Sequence, residues 1–182
     1  MVAPVKKYFV WAVFLIAVIV QFYFPISSIA EKNDILENGV EYKIKTRPID
    51  PADPFRGRYV AIDVSVLISD NCQNEAPGSD IYFIRLSTGE DGFAEVSEIS
   101  IAPLEGEGVL RLNGRYYWRS WNNTVMLPYD RYYMRETGAP KAENAYRQQG
   151  ADTYVSLRVK NNKGVISGLY VGDMRIEDYV RE

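Results

Sequence analysis

Histidine is absent from this 182-residue chain, and cysteine occurs once, at Cys72. The absence of histidine excludes a Ser-His-Asp or Cys-His catalytic set, a histidine general base and a histidine zinc site within the chain. A single cysteine excludes an intrachain disulfide. Cys72 stands in the polar segment SDNCQNEAPGSD without a basic neighbour to stabilise a thiolate, so we interpret it as a spectator thiol in a loop. We expect no cofactor and no metal ion.

Long uncharged runs are scarce too, with one exception near the start of the chain. From Tyr8 to Phe24 there are seventeen residues without a charge, and Gln21 is the one polar side chain among them. A bilayer core of about 30 Å needs roughly 20 apolar helical residues, with a lower limit near 17. Aromatic residues cluster at both ends of the run, as they do at membrane interfaces. The pattern predicts a transmembrane helix over residues 8–27, with Pro25 close to its end.

Two other interpretations of this run remain open. A signal peptide also has a basic start and an apolar stretch, and Ser28-Ile29-Ala30 fits its cleavage site. A buried helix of a soluble protein is the third interpretation, although the run has no amphipathic period. For a membrane anchor, Lys6 and Lys7 place residues 1–7 in the cytoplasm and the rest of the chain outside, by the positive-inside rule.

The remainder of the chain is acidic. Removing Lys6 and Lys7 from the 21 basic residues leaves 19 against 24 acidic ones, a net charge of −5. A domain with this charge has no basic surface of the kind that binds nucleic acid, so we expect no nucleic-acid partner.

Alternating apolar and polar residues dominate from Val40 onward. The pattern predicts a juxtamembrane helix or linker over residues 28–39, ending at Gly39, and one β-rich domain over residues 40–182. Its strands include 40–46 and 57–67, with Val60, Ile62, Val64 and Val66 on one face. Hairpins are predicted around Thr88–Gly92 and Asn161–Gly164, and one internal helix is predicted at Ala139–Gln149. The fold class is therefore mainly β with minor helix, an antiparallel sheet or sandwich behind one N-terminal transmembrane helix.

The stretch IDPADPFRGRYVAIDV, which connects the first two predicted strands, resembles the signature of the GDYXXLXY family of membrane-anchored bacterial proteins. The residues that match are Asp50, Pro51, Arg56, Gly57 and Tyr59. The signature acid is replaced by Arg58, its leucine by Ile62 and its last tyrosine by Val64. The segment LPYDRYYMRETGAPKAENAYR and the closing segment VSLRVKNNKGVISGLYVG also resemble later parts of this family.

The resemblance implies a membrane anchor and an extracytoplasmic β-rich domain. It also implies a gene neighbour that encodes a multi-spanning membrane protein, which becomes the first candidate partner beside the lipid bilayer. The expected location is the bacterial inner membrane, with a single pass, a cytoplasmic N-terminus and a periplasmic or otherwise extracytoplasmic domain. The replacement by Arg58 puts in doubt any role that needs a carboxylate at this position.

Charged and aromatic residues supply the candidates for a ligand or partner site. They are Asp50, Asp53, Arg56, Arg58, Tyr59, Trp118, Trp121 and Glu136. The proline-rich stretch also fits a plain surface turn. Cross-strand pairs within a sheet are the alternative for the aromatic block, which consists of Tyr116, Tyr117, Trp118, Trp121, Tyr129, Tyr132 and Tyr133. We expect a non-catalytic, membrane-tethered accessory or interaction subunit and predict no catalytic residue. The alternative is an envelope glycan-binding module or carboxylate-dependent enzyme, in which two carboxylates perform acid–base chemistry without histidine.

Overall fold

The computed structural model describes residues 4–48, 59–74, 80–113, 118–119, 123–134 and 153–179. The predicted helix Ala139–Gln149 and the connection between residues 49 and 58 lie outside these ranges. Helix α1 spans Pro4–Asn38 and the short helix α2 spans Ile176–Tyr179. Between them lie β1 (Val40–Pro48), β2 (Tyr59–Asn74), β3 (Ile81–Thr88), β4 (Ala94–Ser100), β5 (Val109–Asn113), β6 (Trp118–Arg119), β7 (Thr124–Met126), β8 (Arg131–Tyr133), β9 (Thr153–Lys160), β10 (Lys163–Val171) and β11 (Met174–Arg175).

Helix α1 carries the apolar run and is long and apolar enough to cross a membrane. Residues 28–39, predicted as a juxtamembrane helix or linker, are helical, and α1 continues through Pro25 to Asn38 without a break. Proline removes one backbone donor from a helix, but helices with Ser or Thr close by tolerate it in apolar surroundings. Here the Ser27 hydroxyl donates a hydrogen bond of 3.0 Å to the Phe24 carbonyl, next to the proline.

Helix α1 ends at Gly39, as its sequence predicts. The Gly39 N–H donates to the Ile35 carbonyl at 2.8 Å, and the chain enters β1 at the next residue. A side chain at Gly39 would collide with the Ile35 carbonyl and press on the Val159 backbone. Glycine therefore allows the end of α1 to lie directly on β9.

The eleven strands of the described residues form one sheet, in which the long strand β2 joins two halves. The order along the sheet is β11-β10-β9-β1-β2-β4-β3-β5, and β7 and β8 also pair with β2. Most pairs are antiparallel, as predicted, but β2 and β4 run parallel, which makes the sheet mixed. The two halves share one apolar core, and the Arg111 N–H of β5 donates to the Asn162 carbonyl of the β9–β10 turn at 3.0 Å.

Strand β2 confirms the predicted alternation. Val60, Ile62, Val64 and Val66 are all buried in the core. The strand is longer than predicted, however, and the interpretation of Cys72 as a loop residue is wrong. Cys72 is half-buried and belongs to β2, because pairing with β4 extends the strand to Asn74.

The closing hairpin also confirms its prediction. Strands β9 and β10 pair from Lys160 and Lys163 onward, so that Asn161 and Asn162 form a two-residue turn. Both have positive φ, 51° and 62°. A two-residue turn of this type needs positive φ at both central positions, and asparagine tolerates that conformation better than most residues.

Candidate functional site on the outer face of the sheet

Most of the site residues predicted from the sequence fall outside the described ranges. Those residues are Asp50, Asp53, Arg56, Arg58, Trp121 and Glu136. Tyr59 and Trp118 are placed by their backbones alone: Tyr59 opens β2 opposite Tyr133 of β8, and Trp118 opens β6 opposite Val125 of β7. The structure therefore leaves the predicted set untested as a site.

The signature strand has a second side that faces away from the core, which we call the outer face. Ala61, Asp63, Ser65 and Leu67 alternate with the buried valines and isoleucine of β2. The Ser65 hydroxyl donates to Asp63 Oδ1 at 2.6 Å, and the Leu67 side chain is 52% exposed. The apolar side chain of Leu67 is therefore exposed to solvent on the face of β2 opposite the core.

The adjacent tyrosines Tyr132 and Tyr133 of β8 lie on opposite faces of the sheet, as cross-strand pairing predicts. Tyr132 is buried, while its neighbour Tyr133 is 68% exposed. The Tyr132 hydroxyl donates to Glu177 Oε1 of α2. Burial, together with this hydrogen bond and the negative charge of Glu177, raises the pKa of Tyr132 to about 12. Tyr132 is therefore a neutral hydrogen-bond donor, and its bond to Glu177 connects β8 to α2.

Glu177 is the least satisfied polar group among the described residues. Its Oε2 atom is buried without a hydrogen-bond partner and lies 3.8 Å from Arg175 Nε. Arg175 in turn donates to the Ser167 carbonyl at 2.7 Å. The sequence analysis missed this cluster, because the segment MRIEDY carries no pattern that would single out Glu177.

Three aromatic rings and two lysines form what we call the aromatic strip of the outer face. Tyr154 of β9 stacks on Tyr170 of β10 with parallel rings 4.9 Å apart, and Phe93 meets Tyr154 edge-on at 5.9 Å. Lys43 and Lys45 of β1 lie over these rings, with Lys45 Nζ 4.5 Å from the Phe93 centroid and Lys43 Nζ 5.4 Å from that of Tyr154. Cation–π contacts of this kind favour cations over aromatic rings within about 6 Å.

Asp91 closes one end of the aromatic strip. Its Oδ2 accepts a hydrogen bond of 2.7 Å from Lys45 Nζ, and its Oδ1 accepts one of 3.0 Å from the Phe93 N–H. These bonds, that of Lys45 first, hold the pKa of Asp91 below its usual range. Between Lys45, Asp91 and Leu67 lies a cleft of about 30 Å³, which has room for little more than a water molecule.

The aromatic strip was also missed by the sequence analysis. Phe93, Tyr154 and Tyr170 are far apart in the chain, and the register of β1, β9 and β10 brings them together. The one local signal was a tyrosine at an outward position in each of β9 and β10. Within the described residues no group of three or more Cys, Asp or Glu side chains is arranged to hold a metal ion.

Fold and surface together define a β-rich domain attached to one exposed apolar helix, with aromatic and charged side chains on the outer face of its sheet. The model of the GDYXXLXY protein family matches residues 21–169, and the chain belongs to that family. The match begins inside α1 and ends in β10, so it includes Phe93 and Tyr154 of the aromatic strip and stops before Tyr170 and Glu177. No curated protein and no solved structure matches the chain.

Proposed function

We propose that the protein is a non-catalytic accessory subunit of a membrane assembly, held by α1 in the bacterial inner membrane. In this proposal residues 1–7 are cytoplasmic, residues 8–27 span the bilayer, residues 28–39 connect, and residues 40–182 form the periplasmic or otherwise extracytoplasmic domain. The observation that carries it is the way α1 joins the domain. The helix is exposed along its apolar run and docked on the sheet at its end.

The docking contacts make α1 and the sheet one unit. Ile35 is 2% exposed against β9 and β10, and Lys160 Nζ lies 2.7 Å from Asp34 Oδ1. Lys163 pairs with Glu31 one turn earlier, and Arg158 donates to the Gly39 carbonyl. With so many contacts and one residue between α1 and β1, the domain has a fixed orientation relative to the helix.

With residues 8–27 in the bilayer, as proposed, the docking contacts give approximate distances from the membrane surface. Glu31 is four residues past the proposed span, about 6 Å at 1.5 Å per residue, so the β9–β10 turn beside it reaches the headgroup layer. Strand β1 then runs for nine residues, about 26 Å, before the signature begins. In this proposal the outer face, which carries the exposed aromatic and charged side chains, is the surface that contacts a neighbour in the same membrane. The multi-spanning protein implied by the family resemblance is the first candidate.

Site-specific crosslinking in native membranes tests the proposal. A photo-crosslinker attached to Tyr133→Cys in a Cys72→Ser background probes the outer face, and Glu105→Cys, exposed in the loop before β5, is the matched control. We expect mass spectrometry to recover one multi-spanning membrane protein from the first variant and not from the second. Recovery of the chain alone, with a purified protein that binds glycan, contradicts the proposal and favours the glycan-binding alternative.

Orientation has its own test. Asn71→Cys in the same Cys72→Ser background places an exposed thiol in the domain. An impermeant maleimide should label it in cells whose outer membrane alone is permeabilised. Protection from the reagent, with full labelling after lysis in denaturant, contradicts an extracytoplasmic domain.

A further inference from the structure

The apolar run of α1 contains one side chain that lipid cannot satisfy. The amide of Gln21 carries two N–H donors and a carbonyl acceptor, and it is exposed about 5 Å from the midpoint of the proposed span. None of the described side chains is hydrogen-bonded to it. In a hydrocarbon core an unpaired amide is costly, and polar side chains there bind one another across helices.

Gln21 shares one stripe of α1 with small and bulky side chains. At about 100° per residue, the members of residues 8–28 within roughly 40° of Gln21 are Val10, Phe14, Ala17, Pro25 and Ser28. The small side chain of Ala17, one turn before Gln21, leaves room for a second helix to bring its hydrogen-bonding group within reach of the amide. The docking contacts with the domain begin at Glu31, so they leave this stripe open.

We propose that α1 pairs with a second copy of itself through Gln21. An amide is self-complementary: across a two-fold axis each Gln21 donates an N–H to the carbonyl of its mate and accepts one in return. A two-fold symmetric interface uses the same surface on both partners. One Gln21 from each copy, placed next to the symmetry axis, therefore satisfies the hydrogen bonds of the other without any further polar group. This inference rests on the proposed membrane-spanning role of α1 and adds a partner for the helix itself.

Cysteine crosslinking of the full chain tests the pairing. In a Cys72→Ser background, Ser28→Cys lies on the stripe, whereas Ile26→Cys lies on the opposite face, about 140° from Gln21. Under mild oxidation in native membranes we expect a covalent homodimer from Ser28→Cys and little from Ile26→Cys. Equal crosslinking at the two positions, or adducts that contain a different protein, overturns the proposal.

A second pair of variants isolates the hydrogen bond. Gln21→Leu keeps the helix apolar and able to insert, and we expect it to lower the Ser28→Cys homodimer on the order of 10-fold, whereas Gln21→Asn keeps it within a few-fold. An unchanged yield for Gln21→Leu overturns the role of the amide. Membrane fractionation separates the two ideas: a chain found in the soluble fraction contradicts the membrane-spanning role, whereas a membrane-bound chain without crosslinks contradicts the pairing alone.

Discussion

Substitution of Ile35 by alanine tests whether the β domain depends on the helix that carries it. Ile35 lies in the last turns of α1 and is 2% exposed against β9 and β10. Ile29, six residues earlier on the same helix, is 59% exposed and is the matched control. The two substitutions remove the same atoms from one helix and differ in what surrounds them.

The expected magnitude follows from burial. Ile→Ala removes roughly three buried methylene equivalents at about 0.8 kcal/mol each, or about 2.4 kcal/mol. The cavity left at a site that cannot collapse raises the cost, so that a buried Ile→Ala change lowers the free energy of unfolding by about 2–5 kcal/mol. An exposed position such as Ile29 changes it by less than about 0.5 kcal/mol. Since whole domains have about 5–15 kcal/mol of stability, Ile35→Ala removes a large share.

Urea unfolding of the full chain in detergent micelles measures the difference. The micelle keeps the apolar run helical while the β domain unfolds, and near-ultraviolet circular dichroism follows the packing of its tyrosines. At about 1–3 kcal/mol per molar urea, we expect the midpoint of Ile35→Ala to fall by about 1 M or more and that of Ile29→Ala to stay in place. Equal midpoints for Ile35→Ala and the unsubstituted chain would refute the idea that helix and domain form one unit.

Three further predictions concern the sheet and its charges. Ile62→Ala, at a core position 1% exposed, should lower the free energy of unfolding by about 2–5 kcal/mol, whereas Leu67→Ala in the same strand should change it by less than 1 kcal/mol, as measured by the same urea titration. Burial, and then the charge of Glu98, raise the pKa of the Cys72 thiol. In the folded chain Cys72 should therefore react with maleimide several-fold more slowly than an exposed cysteine, and equal rates would place Cys72 outside the strand. The hydrogen bond from Lys160 lowers the pKa of Asp34, so the Asp34 carboxylate contributes its full stabilisation at neutral pH and loses it as the pH falls through the folded-state pKa, below 3.8. Asp34→Asn should therefore make the loss of stability with falling pH shallower in this range. An unchanged pH profile would contradict the docked ion pair.

Several features of the fold were readable from local sequence because their causes are local. The period of two in β2 predicted which residues face the core, and two adjacent asparagines predicted the turn between β9 and β10. The end of α1 at Gly39 followed from a glycine after a helical pattern. In each case the residue type restricts φ and ψ, or the side that is buried, without reference to distant parts of the chain.

Other features required partners that the sequence does not place next to each other. Strand β2 extends past Cys72 because β4 pairs with it in parallel. The polar segment around Cys72 contains no pattern that predicts this pairing. The sequence left open whether residues 28–39 continue the apolar helix past Pro25 or form a separate segment, and the structure shows one continuous helix. Local propensity is a weak prior in such places, and long-range contacts decide the outcome.

By itself the sequence determined that one apolar helix precedes a β-rich domain, that the chain has the GDYXXLXY signature, and that chemistry based on histidine is excluded. These properties depend on composition and on short repeats of apolar residues, which are fixed before the chain folds. The tertiary structure decided that the end of α1 is locked to β9 and β10, and that Phe93, Tyr154 and Tyr170 meet on the outer face. Both depend on strand register, and register is set by the packing of the whole core, since a slip of one residue would turn every outward side chain inward.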